Sequence, residues 1–416
     1  MTRQHEATEA TEATEAPEAP EAPEAPPVAA AGPGRPLTVT MVTRRDPAEI
    51  GGVERVVVGL VRELARTRPG WRVDTVSAFL AGSRVEGMDG LSDLIAGFRL
   101  GWRLRGSTAD VIFVHCPECM WGIRLLRWTL LRRRGGAAPL VAVWHCAGPV
   151  PYLRLRRPGH PLTRVLAWLR TAGERLATSA DGHVAVHGQV EECLRSRYGL
   201  RAPVTVIENA LDTAVAAQLV DTTAAQPVNT AARLVDTAAR PADGPGPGRL
   251  TALWVGQTGY RKGLDVAMAA VAQARTDLPG LRLRVAGVPA GKAAAGVDWL
   301  GIVPPDGMAD VYRDADLFLF PTRYESFGLV VIEAMAAGLP VIVSDVISTG
   351  IVTDGRNGVM VSGHRPGDYA DALRRLASPA ARAVIAKVNA ADAGRFSADR
   401  FGAGYAAVAE SFAAIQ

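Results

Sequence analysis

Short apolar runs of strand length alternate along the chain with longer segments whose apolar residues recur at helical spacing. The strand-like runs are LTVTMV, DVIFVH, LVAVWH, GHVAVH and VTVIEN in the first half, and LTALWVG, LRLRVAG, DLFLF and VIVS in the second. Helical segments such as VERVVVGLVRELART and GLDVAMAAVAQA separate them. Repeating strand–helix units of this kind give mostly parallel sheets flanked by helices. The pattern therefore predicts an α/β protein with two folded blocks, at residues 36–212 and 249–400.

Three further segments fall outside the strand–helix repeat. Residues 1–35 place a glutamate at every third position from Glu6 to Glu24 and contain too little apolar surface for a core, which predicts a disordered acidic tail. Residues 213–248 are biased in composition and end in GPGPG, which predicts a low-complexity linker or insertion. Residues 401–416 are predicted to form a C-terminal helix that packs back on the N-terminal block.

Composition and the lengths of the apolar runs are typical of a soluble protein. Hydrophobic residues make up 48% of the 416 residues, which is enough for two cores. No apolar stretch is long enough for a transmembrane helix, and the N-terminus lacks the apolar core of a signal peptide. We therefore predict a cytoplasmic protein.

Cysteine usage favours reduced thiols. The four cysteines of the chain are Cys116, Cys119, Cys146 and Cys193. A secreted disulfide scaffold would need more of them in a shorter chain. Cys116 and Cys119 have the spacing of half a zinc site, which His115, His145 or Cys146 would have to complete from elsewhere. Structural zinc sites usually show a second spaced pair, so we expect no metal and keep zinc as the minor alternative.

Positive charge is concentrated in the N-terminal half. Residues 36–201 contain 25 arginines and no lysine against 14 acidic residues, whereas the whole chain has a net charge of +4. Three segments interleave arginines with Trp102, Trp128 and Trp168: WRLR, RLLRWTLLRRR and RRPGHPLTRVLAWLR. Amphipathic helices of this composition lie on anionic lipid. An arginine-rich solvated face with its tryptophans in the core explains the pattern equally well. Peripheral membrane contact is therefore one of two open interpretations, and no nucleic-acid partner is expected.

Two glycine loops stand where a strand hands over to a helix. The loop GQTGYRKG contains Arg261 and Lys262, and an earlier loop contains Gly51 and Gly52. Glycines let backbone amides approach an anion, the helix dipole attracts it, and the basic side chains add charge. Each loop taken alone also fits an ordinary tight turn.

The stretch PTRYESFGLVVIEAMAAGLPVIVSDV places two glutamates eight positions apart among apolar residues. Glu325 lies in the loop after a strand, and Phe327 and Gly328 lead into the helix, where backbone N–H groups lack intrahelical partners. Glu333 lies inside an otherwise apolar helix, which predicts burial. A carboxylate in such a helix needs partners, and sugar or ribose hydroxyls are suitable ones. The alternative is a glutamate on the solvent-facing stripe of a surface helix.

ESFGLVVIE resembles the Glu-x7-Glu signature of retaining GT-B glycosyltransferases, and the chain from about residue 37 to 400 resembles glycosyltransferase family 4. Further matching pieces, in order, are GGVERVV, VAVWH, VIENALD, VGQTGYRKGLD, DVYRDADLFLFPTRYESFG and EAMAAGLPVIVSD. The resemblance implies a GT-B fold, in which two Rossmann-like domains with mostly parallel sheets face each other across a cleft. The N-terminal domain would hold the acceptor and the C-terminal domain the nucleotide-sugar donor.

The resemblance also implies roles for individual residues. Lys262 and Arg261 would hold the donor diphosphate, and the Gly51–Gly52 loop would close over it from the other domain. Glu333 would bind the ribose hydroxyls.

For the transferred sugar, the resemblance implies that Glu325 lies against the ring. The amides from Phe327 through Gly328 to Leu329 would meet its hydroxyls or the phosphate. His145 matches the cleft histidine near the donor sugar. The predicted catalytic residues are thus Glu325, His145 and Lys262.

Two departures from the family pattern weaken the predicted phosphate grip. Gln257 stands where family members commonly have arginine, and Ala210-Leu211 replaces the usual Gly-Val in the segment after Asn209. We expect Arg261 to replace the missing arginine.

Taken together, the residues and the resemblance predict a retaining hexosyltransferase that needs no metal and no cofactor. Its donor would be a UDP- or GDP-linked sugar, and its acceptor a hydroxyl of a glycolipid, glycan or natural product. Two alternatives stay open: another enzyme of this fold, such as an epimerase or phosphorylase, and a catalytically silent nucleotide-binding subunit. The presence of Glu325, Lys262 and Glu333 favours an enzyme. No pattern in the sequence identifies the sugar, the base, the acceptor or the oligomeric state.

Overall fold

Two parallel sheets with flanking helices form the described part of the chain. The computed structural model describes residues 35–47, 51–80, 89–130, 138–146, 161–211, 216, 218–219, 249–257, 259–347 and 350–415. The predicted acidic tail, apart from Arg35, and nearly all of the predicted linker therefore lie outside the described residues.

The first sheet contains six strands in the order β2-β1-β3-β4-β5-β6, all paired in parallel. The strands are β1 (Thr38–Thr43), β2 (Arg72–Ser77), β3 (Val111–Val114), β4 (Leu140–Trp144), β5 (Gly182–Ala185) and β6 (Thr205–Val206). The helices are α1 (Gly52–Thr67), α2 (Asp89–Arg103), α3 (Met120–Leu130), α4 (Pro161–Ala177) and α5 (Gly188–Tyr198). Every residue of β3 and β4 is buried, because helices cover both faces of the sheet.

The second sheet is also parallel throughout, in the order β12-β11-β10-β7-β8-β9. Its strands are β7 (Leu250–Val255), β8 (Leu281–Ala286), β9 (Val297–Gly301), β10 (Leu317–Phe320), β11 (Val341–Ser344) and β12 (Gly358–Val361). Its helices are α6 (Leu264–Ala274), α7 (Met308–Arg313), α8 (Leu329–Ala336), α9 (Pro366–Arg375) and α10 (Pro379–Ala393). The predicted α/β class with two mostly parallel sheets is confirmed.

The last helix, α11 (Ala398–Ala413), returns to the first sheet. Its Tyr405 is buried with its ring 5.3 Å from that of Phe113 in β3, and Phe401 packs edge-on against Tyr405. The helix thereby closes a core that α1 and the first sheet share.

The loops that carry the predicted site residues all follow the carboxyl ends of strands, which is where parallel sheets bind ligands. His145 follows β4, the Arg261–Lys262 loop follows β7, and the segment with Glu325 follows β10. None of the helices described here is both long and apolar enough to cross a membrane.

Candidate active site

Lys262 and Glu325 form an ion pair that joins the loops after β7 and β10. Gly263 allows the two loops to lie this close together. Its φ is +72°, and a Cβ at this position would collide with the backbone carbonyl of Pro321. Glu325 also accepts a hydrogen bond from the backbone N–H of Ser326, at 3.0 Å to Oε1. Both side chains of the pair are largely withdrawn from solvent. The two predicted catalytic residues of the second domain are thus in direct contact.

The electrostatics of this pair keep Glu325 ionised. Burial alone would raise the pKa of its carboxyl, but the charge and hydrogen bond of Lys262, the Ser326 amide and the nearby Arg261 together hold that pKa below its usual value. Burial, and then the charge of Arg261, lower the pKa of Lys262, against the opposing effect of Glu325. Arg261 therefore acts on both members of the pair, so its charge lies close to the predicted phosphate site.

The start of α8 supplies backbone donors next to Glu325. Gly328 precedes the helix with φ of +103°, a left-handed conformation that favours glycine. Phe327 is buried and packs edge-on against Phe396, with ring centroids 6.0 Å apart. The first amides of α8, starting with Leu329, have no intrahelical acceptor. These amides and Glu325 together form a polar corner able to bind an anion or a sugar hydroxyl.

Glu333 is buried in α8, with 3% of its surface exposed, and both its oxygens accept hydrogen bonds. Arg55, in α1 of the first domain, donates from Nη2 to Oε1 at 2.6 Å. Tyr312, at the end of α7, donates its hydroxyl to Oε2 at 2.7 Å. The predicted burial of this carboxylate is thus observed, together with two partners that the sequence patterns did not indicate.

The Gly51–Gly52 loop lies at the start of the same helix, α1. Arg55 lies in the first turn of that helix, and its backbone N–H donates to the Gly51 carbonyl at 3.1 Å. The Arg55–Glu333 contact therefore holds the predicted closing loop of the first domain close to α8 of the second. The motif GGVERVV, which contains Arg55, was the available signal for this contact, but its arginine was not singled out.

His145 is buried against a second histidine, His115, at the end of the neighbouring strand. His115 Nδ1 lies 3.0 Å from His145 Nε2, and the His115 ring stacks on Tyr405 at 6.1 Å. Burial lowers the pKa of His145 to about 4 and that of His115 well below its ordinary value. Both imidazoles are therefore neutral at physiological pH. No contact among the described residues joins His145 to Glu325 directly.

Two other contacts connect the first domain to the segment around Glu325. The hydroxyl of Tyr324 and the thiol of Cys146 lie next to each other, and burial raises the pKa of both groups. His187, between β5 and α5, places Nε2 2.8 Å from the carbonyl oxygen of Ser326. Sequence reasoning missed His187, because a lone histidine at the end of a strand carries no pattern that separates a structural residue from a functional one.

Metal-binding groups are absent from the described residues: no three His, Cys, Asp or Glu side chains are placed to share an ion. All four cysteines are free thiols. Cys116 and Cys119 are buried next to each other, and the interaction with the Cys116 thiol, followed by burial, raises the pKa of Cys119.

Two family models match this chain. The model for Glycosyltransferase Family 4 matches residues 50–215, and the model for Glycosyl transferases group 1 matches residues 249–378. The D-inositol 3-phosphate glycosyltransferase of Acidothermus cellulolyticus is 30% identical over 330 residues, which cover 70% of this chain and 70% of that protein. The chain belongs to glycosyltransferase family 4. A second relative of the same name, from Rhodococcus erythropolis, is 40% identical over 164 residues, which cover 35% of this chain but only 37% of the relative.

Solved structures confirm the GT-B fold of this family 4 chain. Sucrose-phosphate synthase from Thermosynechococcus elongatus matches with a TM-score of 0.68 and 20% identity, over 91% of this chain and 100% of that one. Anabaena Alr3699/HepE, solved in complex with UDP-glucose, matches with a TM-score of 0.62 and 14% identity, over 90% and 100% of the two chains. At these identities the likeness concerns the fold.

The first domain of this family 4 protein also contains a buried network of charges that the sequence patterns did not reveal. Arg170 in α4 lies 3.8 Å from Asp93, 3.9 Å from Glu118 and 3.2 Å from Glu174. Arg44, which follows β1, pairs with Asp93 at 3.1 Å. Burial raises the pKa of Glu174 despite its hydrogen bond from Arg170. The network neutralises two guanidinium groups at the edge of the first sheet that faces ligands in parallel α/β folds.

Proposed function

We propose that this protein transfers a hexose-type sugar from a nucleotide-diphospho-sugar to a hydroxyl group of an acceptor, with retention of anomeric configuration. The observation that carries the proposal is the buried Lys262–Glu325 pair at the start of α8. It joins a cation suited to a diphosphate and a carboxylate suited to sugar hydroxyls within one corner. A UDP-linked donor agrees with the fold similarity to a protein solved with UDP-glucose.

The barrier would be lowered mainly by electrostatics. The bond between the anomeric carbon and the diphosphate oxygen breaks, and its electron pair moves to the leaving diphosphate. Lys262, Arg261 and the amides at the start of α8 stabilise the growing negative charge. The acceptor oxygen bonds to the anomeric carbon on the same face, and its proton passes to the leaving phosphate. No protein nucleophile takes part, and the cationic side chains supply the positive charge without a metal ion.

On the donor side, Glu333 would bind the ribose hydroxyls in place of Arg55, while neutral His145 would lie near the transferred sugar. The Gly51–Gly52 loop would approach the diphosphate from the first domain. On the acceptor side, a glycolipid, glycan or natural product would present its hydroxyl from the first domain. The relatives are named for D-inositol 3-phosphate, which is one acceptor to include in a screen.

The protein would act in the cytoplasm, in peripheral contact with the inner face of the membrane. Trp102 in α2 is 56% exposed and Trp168 in α4 is 68% exposed. The guanidinium of Arg105 lies 3.6 Å from the centroid of a Trp102 ring. Neither tryptophan is in the core, so the interpretation that buries them does not apply to these two. The Trp128 side chain lies outside the described residues.

Paired substitutions test the assignment of the two glutamates. Glu333→Gln keeps the size of the side chain and weakens a charge-assisted hydrogen bond, which contributes about 1.5–3 kcal/mol. Affinity for the sugar donor and for the free nucleoside diphosphate should therefore fall equally, by about 10- to 100-fold. Glu325→Gln should leave nucleoside diphosphate affinity unchanged and lower turnover of the sugar donor.

Nucleotide affinity is measured by calorimetry with UDP and GDP. Turnover is measured as product release from a panel of UDP- and GDP-sugars. Lys262→Ala should weaken binding of the nucleoside diphosphate. Lys387→Ala removes a lysine from an exposed position in α10 and serves as the matched control. If Glu325→Gln weakens the nucleoside diphosphate as strongly as Glu333→Gln, the division of roles is wrong. If no sugar nucleotide is bound or consumed, the proposed function is wrong.

A further inference from the structure

His187 makes a contact across the two domains for which the proposed mechanism has no role. The residue follows β5 of the first domain and is 9% exposed. Its Nε2 lies 2.8 Å from the carbonyl oxygen of Ser326 in the second domain. A carbonyl only accepts hydrogen bonds, so Nε2 carries the proton and donates it. The other nitrogen, Nδ1, is buried and has no hydrogen-bond partner among the described residues.

The carbonyl that His187 binds belongs to the peptide unit that also contains the N–H of Phe327. Peptide units are planar, and in the trans form the C=O and N–H point in opposite directions. No cis peptide occurs in the described chain. A hydrogen bond at the Ser326 oxygen therefore fixes the direction of the Phe327 amide, which is one of the amides assigned to the donor.

The preceding peptide unit connects the same segment to the ion pair. The N–H of Ser326 donates to Glu325 Oε1 at 3.0 Å, and Glu325 Oε2 pairs with Lys262. Ser326 is therefore held on both sides, by a histidine of the first domain through its carbonyl and by Glu325 through its N–H. Gly328 follows with a left-handed backbone, and the first hydrogen bonds of α8 reach back only to its carbonyl, from the N–H groups of Val331 at 2.8 Å and Ile332 at 3.3 Å. Among the described residues, 325–327 therefore have no helical hydrogen bonds that could hold them instead.

We propose that His187 is a positioning residue of the donor site: it locks the segment 325–328 from the first domain, so that Glu325 and the Phe327 amide reach their working geometry only when the domains are together. The inference rests on the proposed function for its catalytic consequence, but the contact itself is independent of it. Burial lowers the pKa of His187, which keeps the ring neutral and still able to donate from Nε2.

The test compares His187→Ala with His187→Gln. The Nε2 amide of glutamine reaches about as far as the histidine Nε2 and can donate to the same carbonyl. His364→Ala is the matched control, because His364 Nε2 lies 3.0 Å from the carbonyl of Thr322, in the loop that leads from β10 to this segment, but His364 belongs to the second domain. Hydrogen exchange of the amides 325–329 is measured without ligand, and kcat and nucleoside diphosphate affinity are measured with the best UDP- or GDP-sugar.

We expect His187→Ala to speed exchange of these amides by about fivefold or more and to lower kcat about tenfold, a loss of about 1.4 kcal/mol. Affinity for the free nucleoside diphosphate should stay within twofold, His187→Gln should recover most of both changes, and His364→Ala should keep kcat within twofold. Unchanged exchange in His187→Ala overturns the inference whether or not the protein has activity. A parallel loss of nucleoside diphosphate affinity overturns it as well, since His187 would then hold the ligand. Absence of turnover in the unmodified protein refutes the proposed function instead, and the exchange measurement still decides the role of the contact.

Discussion

Removing Arg55 should strengthen nucleotide binding. If the ribose hydroxyls bind Glu333, they compete with Arg55, which already donates to Glu333 Oε1 at 2.6 Å. The cavity that these two residues line with α1, α8 and α11 has a volume of about 20 Å³. That space suits a single water molecule, so a ribose that binds Glu333 in this cavity has to displace Arg55. Arg55→Ala removes the competitor in advance.

The magnitude follows from the exposure of the two partners. A hydrogen bond to a charged group contributes about 1.5–3 kcal/mol, and the lower end applies here because the Arg55 side chain is 31% exposed. Affinity for UDP or GDP should therefore rise by about tenfold. The ligand-free protein should lose about 2 kcal/mol of stability, because Glu333 would be left buried with Tyr312 as its remaining partner.

Calorimetry and thermal unfolding measure both effects on the same samples. Arg55→Ala should lower the Tm without nucleotide and show a larger increase of Tm when UDP or GDP is added, because ligand binding stabilises the folded state by mass action. Arg62→Ala is the control, since Arg62 is exposed on the same helix. Weaker nucleotide binding by Arg55→Ala, comparable to that of Glu333→Gln, would mean that Arg55 itself holds the donor, and the competition argument would be refuted.

Three further predictions address the surface, the tail and the buried histidines. The protein should bind anionic but not neutral vesicles, and added salt or the substitutions Trp102→Ser and Trp168→Ser should weaken this binding. Equal binding to both vesicle types, or no binding at low salt, would contradict the membrane contact. Deleting residues 1–34 should keep turnover within about twofold, and a large loss would show that the acidic repeats recruit a partner or cover the basic face. Burial lowers the pKa of His145 to about 4, whereas in the unfolded chain the same side chain takes up a proton near pH 6.5. Between these two pH values the unfolded state binds one proton more than the folded state, so stability falls as the pH is lowered. Urea unfolding should show about 2 kcal/mol more loss of stability between pH 7 and pH 5 in the unmodified protein than in His145→Asn, and equal losses would contradict the burial argument.

Local pattern was sufficient for the framework of the second domain. The fully buried strands β10 and β11 appear in the sequence as short apolar runs, and α8 between them contains one carboxylate. Gly338, just past the end of that helix, has a φ of +74°, the left-handed conformation with which glycine commonly ends helices. These features depend on neighbours within a few residues, so burial and turn geometry leave a legible periodicity.

The partners of the two glutamates differ in how far the sequence could predict them. Lys262 and Glu325 come from two loops of one sheet, after neighbouring strands β7 and β10, so parallel topology alone predicts that they approach each other. Arg55 is 278 positions from Glu333, and His187 is 139 positions from Ser326. Both of these contacts depend on how the two domains meet, which no periodicity within either domain encodes.

The two halves of the proposed donor should therefore affect the contacts between the domains differently. The carboxylate assigned to the sugar is paired within its own domain, so a sugar can reach Glu325 without changing the contacts between domains. The carboxylate assigned to the ribose is paired with Arg55 of the other domain, so a nucleotide that reaches Glu333 must replace an interdomain contact by a ligand contact. The nucleotide half of the donor, and not the sugar half, should therefore loosen α1 from α8. His187 would then remain as one of the contacts between the domains, and it would carry the position of the first domain to Glu325 through Ser326.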